Sequence, residues 1–198
     1  MKNLNSVIAN KDWETLLKSY TPSDLASNLT FIEALVLSRK ILENEAWNDE
    51  LQTYAIDLIN AIRSKYPIDW NHDWRHDAYL GYAYDLRGWD HEEQYHAYNR
   101  AAEKCVSPNP EILMRIAMNW SCPGIYMKKN NEQKAITMLK KALSKTPYVE
   151  GVSCLIDLYN EVGDEEKKQH WEKILKESEK SQLYAPYEFL NIFEKYGW

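Results

Sequence analysis

The chain has 198 residues, 44% of them hydrophobic and 27% charged, a composition that suits a folded soluble protein and lies well away from disorder. Its 24 basic and 30 acidic residues leave a formal charge of −6 without any basic run, so the electrostatic footprint of a phosphate-backbone binder is missing and no nucleic-acid partner is expected. No stretch approaches the ~20 apolar residues of a membrane span, so no membrane partner is expected either.

Six glycines and seven prolines fall mostly between apolar-periodic stretches, which favours helices over a turn-dense β fold. Cys105, Cys122 and Cys154 are odd in number and widely spaced, which suits reduced cysteines buried in helices rather than a disulfide framework or a zinc site. Met1 to Ser6 holds no apolar signal core, so the expected compartment is cytoplasmic.

In chain order, Asp12 before Trp13, Leu16 and Leu17 reads as the cap of a short first helix. Thr21-Pro22-Ser23-Asp24 restarts the helix with a capping threonine, a proline at the first helical position and an acid at the positive end of the dipole. Apolar residues then recur at helical spacing to Leu42, which predicts one continuous helix. A break is expected over Asn44–Asn48, and a further helix runs from Glu50 to Lys65, closed by Tyr66-Pro67.

One phrase recurs along the chain. Leu80-Gly81-x-x-Tyr84-x-x-x-Gly88 returns as Ile116-Ala117-x-x-Trp120-x-x-x-Gly124 and as Leu155-Ile156-x-x-Tyr159-x-x-x-Gly163. Residues four apart share a helix face, and the glycine supplies a left-handed stop. A second phrase, Ala55-x-x-x-Ile59-x-x-Ile62 followed by Pro67, has the same spacing as Ala135-x-x-x-Leu139-x-x-Ala142 followed by Pro147.

Together the two phrases resemble the tetratricopeptide (TPR) repeat, a 34-residue helix-turn-helix unit. The resemblance covers four units, about residues 25–67, 74–108, 110–147 and 148–182, with about six extra residues around Ile125-Tyr126-Met127-Lys128-Lys129. It implies an all-α, right-handed solenoid of TPR-like hairpins in a single domain. A C-terminal capping helix over about 186–196, carrying Phe189, Leu190, Ile192, Phe193 and Tyr196, would cover the last repeat or contact something outside the chain.

Reactive side chains are densest from Trp70 to Arg100. His72 and His76 are four apart, a spacing that lets two imidazoles share a metal, and with Asp77 they admit a metal-dependent hydrolase. Against this, Asp73 stands where a His-Glu-x-x-His motif needs glutamate, and His72 falls before the first turn of a helix capped by Asn71 or Asp73. Surface histidines beside a cap are the simpler reading. Asp90-x-x-Glu93 and Asp164-Glu165-Glu166 stand at helix starts, as caps do. No phosphate loop or nucleophile motif is present, so no reaction, metal or cofactor is assigned.

The resemblance further implies partner binding on the concave face of the first helices. Its positions fall on Arg75, Ala78, Tyr82, Asp85 and Leu86, then on Glu111, Met114, Met118, Ser121 and Cys122, then on Glu150, Ser153, Asp157, Asn160 and Glu161. Arg75, Tyr82, Asp85, Met114, Met118, Asp157, Asn160 and Glu161 are the candidate contacts, an acidic and aromatic set suited to a protein or peptide of basic or mixed charge. A non-enzymatic protein-interaction module is therefore expected. A bacterial antidote that masks a basic toxin domain is a narrower alternative.

Overall fold

The computed structural model describes residues 4–44, 49–88, 90–107, 109–121 and 131–197. Among them all regular structure is helical, and no helix is long and apolar enough to cross a membrane. The Gly124 stop, Cys122 and the Ile125–Lys129 insertion lie outside the described residues, as does most of the break expected at 44–48. The chain divides into two compact units, Met1–Asp90 with Phe189–Trp198, and His91–Glu188.

The first unit begins with α1 (Leu4–Ala9) and α2 (Trp13–Ser19), the latter capped by Asp12, which accepts the Thr15 amide at 3.2 Å. α3 (Pro22–Asn28) opens with the Thr21/Asp24 capping box. The single helix expected from there to Leu42 is in fact two. Thr30 and Glu33 form a second capping box, with the Thr30 amide donating to the Glu33 carboxylate at 2.9 Å and the Glu33 amide donating to Thr30 Oγ1 at 3.3 Å. The chain therefore leaves the helix at Leu29 and starts again as α4 (Phe31–Asn44).

α5 (Asp49–Lys65) is the centre of this unit and packs against α3, α4 and α7. Its spaced residues Ala55, Ile59 and Ile62 are all fully buried. Pro67 ends α5 and also opens a short helix, α6 (Pro67–Asn71), where its missing N–H costs nothing. α7 (Trp74–Arg87) is capped by Asp73 and stopped by Gly88, whose φ of 84° is left-handed. Two tyrosines staple helix ends. The Tyr54 hydroxyl donates to the Tyr20 carbonyl at 2.7 Å, and the Tyr66 hydroxyl to the Leu29 carbonyl at 2.8 Å.

The second unit holds α8 (His91–Lys104), α9 (Pro110–Ser121), α10 (Asn131–Ala142), α11 (Val149–Glu161) and α12 (Glu165–Lys180). α9 packs on α10 and α11 on α12, with Met114, Ala117, Leu139, Leu155 and Tyr159 in a shared core. Gly163 is left-handed at φ 72°, and Asp164 caps α12 by accepting the Lys167 amide. Gly151, inside α11, allows the closest approach. A Cβ there would lie 2.7 Å from Met114 Sδ and 2.9 Å from Leu143 Cδ2.

The C-terminal helix expected over 186–196 is not one α-helix but two short 3-10 helices. After α12 the chain runs without regular structure from Leu183 to Tyr187 and then forms two 3-10 helices, Glu188–Ile192 and Glu194–Tyr196. Pro186 could open a helix, but Tyr187 takes a left-handed φ of 51°, so no right-handed helix runs through it. Phe189 and Ile192, three apart, share one side of a 3-10 turn and are buried, as is Phe193. They belong to the first unit, not to the last hairpin. The Phe193 ring meets Tyr79 edge-on at 4.8 Å and lies under the Arg39 guanidinium at 4.6 Å.

Gly151→Ala tests the α9–α11 packing. Alanine gains about 1 kcal/mol of helix propensity, but overpacking against Met114 and Leu143 typically costs about 1–3 kcal/mol. A lower urea midpoint is expected. An unchanged or raised midpoint would show that the Met114 side chain moves aside freely.

Candidate functional site

Two clusters of polar side chains are built into this fold, one in each unit. In the first, α6 and the start of α7 fold back on each other through side-chain bonds. The Trp70 indole N–H donates to buried Asp77 at 3.2 Å, and His76 Nδ1 lies 3.0 Å from the Trp70 carbonyl. A carbonyl only accepts, so Nδ1 carries the hydrogen. In the neutral ring Nε2 then accepts from the Tyr196 hydroxyl, 2.9 Å away.

His76 is only 2% exposed and is packed by the rings of Phe31 and Trp70 at 5.1 and 5.4 Å. The expectation of surface histidines is thus corrected for His76, whose neighbours are Phe31 of α4, Trp70 of α6 and Tyr196, while His72 is exposed at the end of α6. With both His76 nitrogens in hydrogen bonds and Asp77 bonded to Trp70, residues 72–77 do not present a converging ligand pair. Among the described residues no group of three His, Cys, Asp or Glu side chains is placed to hold a metal ion.

Asp73 borders this cluster. It accepts the Arg75 backbone amide at 3.0 Å and the Arg75 Nε at 2.9 Å. Burial alone would raise its carboxyl, but the hydrogen bonds and charge of Arg75 outweigh that and hold it at about 2. Tyr196 is pushed upward, first by burial and then by the charge of Asp73.

In the second unit, α9 and α11 present carboxylates to the segment that follows α12. Glu111 is 2% exposed. Its Oε1 takes Arg115 Nη2 at 2.8 Å, and its Oε2 takes the Glu188 backbone amide at 3.2 Å. Glu150 accepts the Ala185 backbone amide with both oxygens, at 3.1 and 3.3 Å. The Arg115 guanidinium stacks on the Tyr187 ring at 4.3 Å and lies 5.9 Å from the Tyr98 ring. Burial opposes its charge, but Tyr98, Glu111 and Tyr187 more than restore it.

The structure therefore places the expected groove residues unequally. Met114 is fully buried in the core of the second unit, because it fills the space opposite Gly151, and it offers no surface to a partner. Met118 is half-buried against the same core. Arg75 is committed to Asp73, and Tyr82 is half-buried with its ring 5.9 Å from that of Phe189. Glu111 and Glu150 hold the chain's own backbone. Asp85 on α7 and Asp157, Asn160 and Glu161 on α11 remain exposed.

Sequence reasoning missed Arg115 and Gly151, and it placed Tyr196 on a capping helix without its bond to His76. Only Arg115 carried a local signal, its four-residue spacing from Glu111. A separate open cleft of about 660 Å³ lies between α3 and α5 and is lined by Ser23, Ser27, Asp57, Asn60, Ser64 and Lys65 among others.

Two outcomes are expected of the first cluster. A carboxyl held near 2 when folded and near 3.9 when unfolded contributes stability that is present above pH 4 and lost as pH falls toward 2. Asp73→Asn should therefore cost about 1–2 kcal/mol at pH 7 in urea unfolding, with the gap to wild type closing between pH 4 and pH 2. A gap independent of pH would reject the ionised cap. Tyr196→Phe should cost about 1–2 kcal/mol by leaving buried His76 Nε2 without its donor. Wild-type stability in that variant would mean the hydroxyl adds nothing to the cluster.

No family model matches the chain, and no curated protein or solved structure matches it either.

Proposed function

We propose that this chain is a protein-binding module built from tetratricopeptide-like hairpins, and that it engages a partner of basic or mixed charge without carrying out a reaction. The observation that carries this reading is the exposure of Asp85, Asp157, Asn160 and Glu161 on helices whose opposite faces are locked in well-packed cores. A rigid helix presenting acids to solvent lowers the ordering cost of binding and adds electrostatic steering.

The hairpin reading is supported by the pairwise packing of α9 with α10 and of α11 with α12. The buried alanines Ala55, Ala135 and Ala142 and the left-handed stops at Gly88 and Gly163 support it too. A metal-dependent hydrolase at residues 72–77 draws no support from the bonded state of His76 and Asp77.

Affinity capture with wild type and with the double variant Asp157→Lys, Glu161→Lys tests the proposal. Wild type should retain a stoichiometric protein whose binding weakens as salt rises. The double variant should lose at least about tenfold in affinity, mainly through a slower association rate, with helical content unchanged. Equal binding by the two proteins would move the interface off α11, and the α3–α5 cleft would be the surface to mutate next.

A further inference from the structure

We propose that the α9–α11 face of the second unit is a site for an extended segment, and that residues 184–188 of the same chain are its resident, displaceable ligand. The inference concerns this face alone and does not rest on the role given above to the exposed acids.

The way the segment is held supports this. It is held through its backbone, with the Ala185 amide on Glu150 and the Glu188 amide on Glu111. Between these two amides the Tyr187 ring stacks on Arg115. The groups that do the holding sit on regular helices in a packed core, so the catch is preformed. Two carboxylates spaced to accept amides three residues apart, with a guanidinium between them for an aromatic ring, read an extended segment with an aromatic residue next to its second amide. Little else of its sequence is read.

The segment is committed mainly at Ala185, which is buried in the core of the second unit. Around it Tyr184 is 54% exposed, and Pro186 and Glu188 are exposed. Tyr187 adopts a left-handed φ of 51° that L side chains resist, so lifting the segment relieves strain there. Its two ends are separately anchored. Leu183 is fixed by its amide on the Ser178 carbonyl and by its carbonyl on the Val149 amide, and Phe189 is fully buried. Residues 184–188 can therefore lift while both flanks stay folded.

The test uses the full chain and a blocked peptide of residues 183–189. Tyr187→Ala loosens the resident segment without touching the catch. In this variant the Ala185 and Glu188 amides should exchange hydrogen at least about tenfold faster than in wild type. The labelled peptide should bind it at least about tenfold tighter than it binds wild type. Adding Glu150→Ala should abolish that gain, and a peptide carrying Tyr187→Ala should bind at least about tenfold more weakly than the parent peptide. Unchanged amide exchange would overturn the latch, and faster exchange without peptide binding would overturn the site. If Tyr187→Ala loses native helical content, Tyr187→Leu enters the same comparison, with the same results deciding.

Discussion

Every backbone amide and carbonyl taken out of water needs a partner, and an all-helical chain lacks partners at helix ends and wherever it runs extended. This chain meets the need with long side chains that reach from one element to the end of another. Tyr54 and Tyr66 deliver hydroxyls to the carbonyls that follow α2 and α3. Glu150 and Glu111 deliver carboxylates to amides of the extended residues 184–188. The tyrosine-rich composition follows from the same constraint. A tyrosine buries an apolar ring between helices while its hydroxyl satisfies a distant group, which phenylalanine cannot do.

The polar clusters sit where burial and bonding are balanced. Glu111 and Arg115, both nearly buried, would be a weak source of stability as an isolated pair, because desolvation cancels much of their attraction. Here the second carboxylate oxygen goes to a backbone amide and the guanidinium face goes to Tyr187, so each ion has a further partner beyond the pair. His76 follows the same logic. One nitrogen donates to a carbonyl, the other bonds a hydroxyl, and the rings of Phe31 and Trp70 pack around it.

These commitments change what the acidic composition means. Residues 1–90 with 189–198 hold ten basic and fifteen acidic side chains, whereas 91–188 hold fourteen and fifteen. In the second unit Asp164 is tied to Lys167, Glu165 to Lys168, Glu111 to Arg115 and a backbone amide, and Glu150 to a backbone amide. Net charge counts all of them alike. The buried Glu111 counts toward that charge without adding to the acidic surface.

Local chemistry made much of the fold legible. Asp12, Thr21, Asp73 and Asp164 cap helices because capping needs only residues within three positions, and Gly88 stops a helix through its own φ. The break at Leu29 was equally local. Thr30 and Glu33 carry it, but an unbroken apolar period across residues 25–42 outweighs a capping box when only periodicity is read.

The candidate site was not legible, because its bonds span 35, 77 and 120 residues and no spacing rule reaches that far. The final segment shows the limit most clearly. Its apolar residues announced burial correctly, yet periodicity says only that a face is buried and never against what. The partner of Phe193 is Tyr79, more than a hundred positions earlier. What separates that outcome from a terminal cap is the left-handed turn at Tyr187 after Pro186. That turn interrupts any helix begun at Pro186, and the amides on either side of it, of Ala185 and Glu188, go to the carboxylates of Glu150 and Glu111.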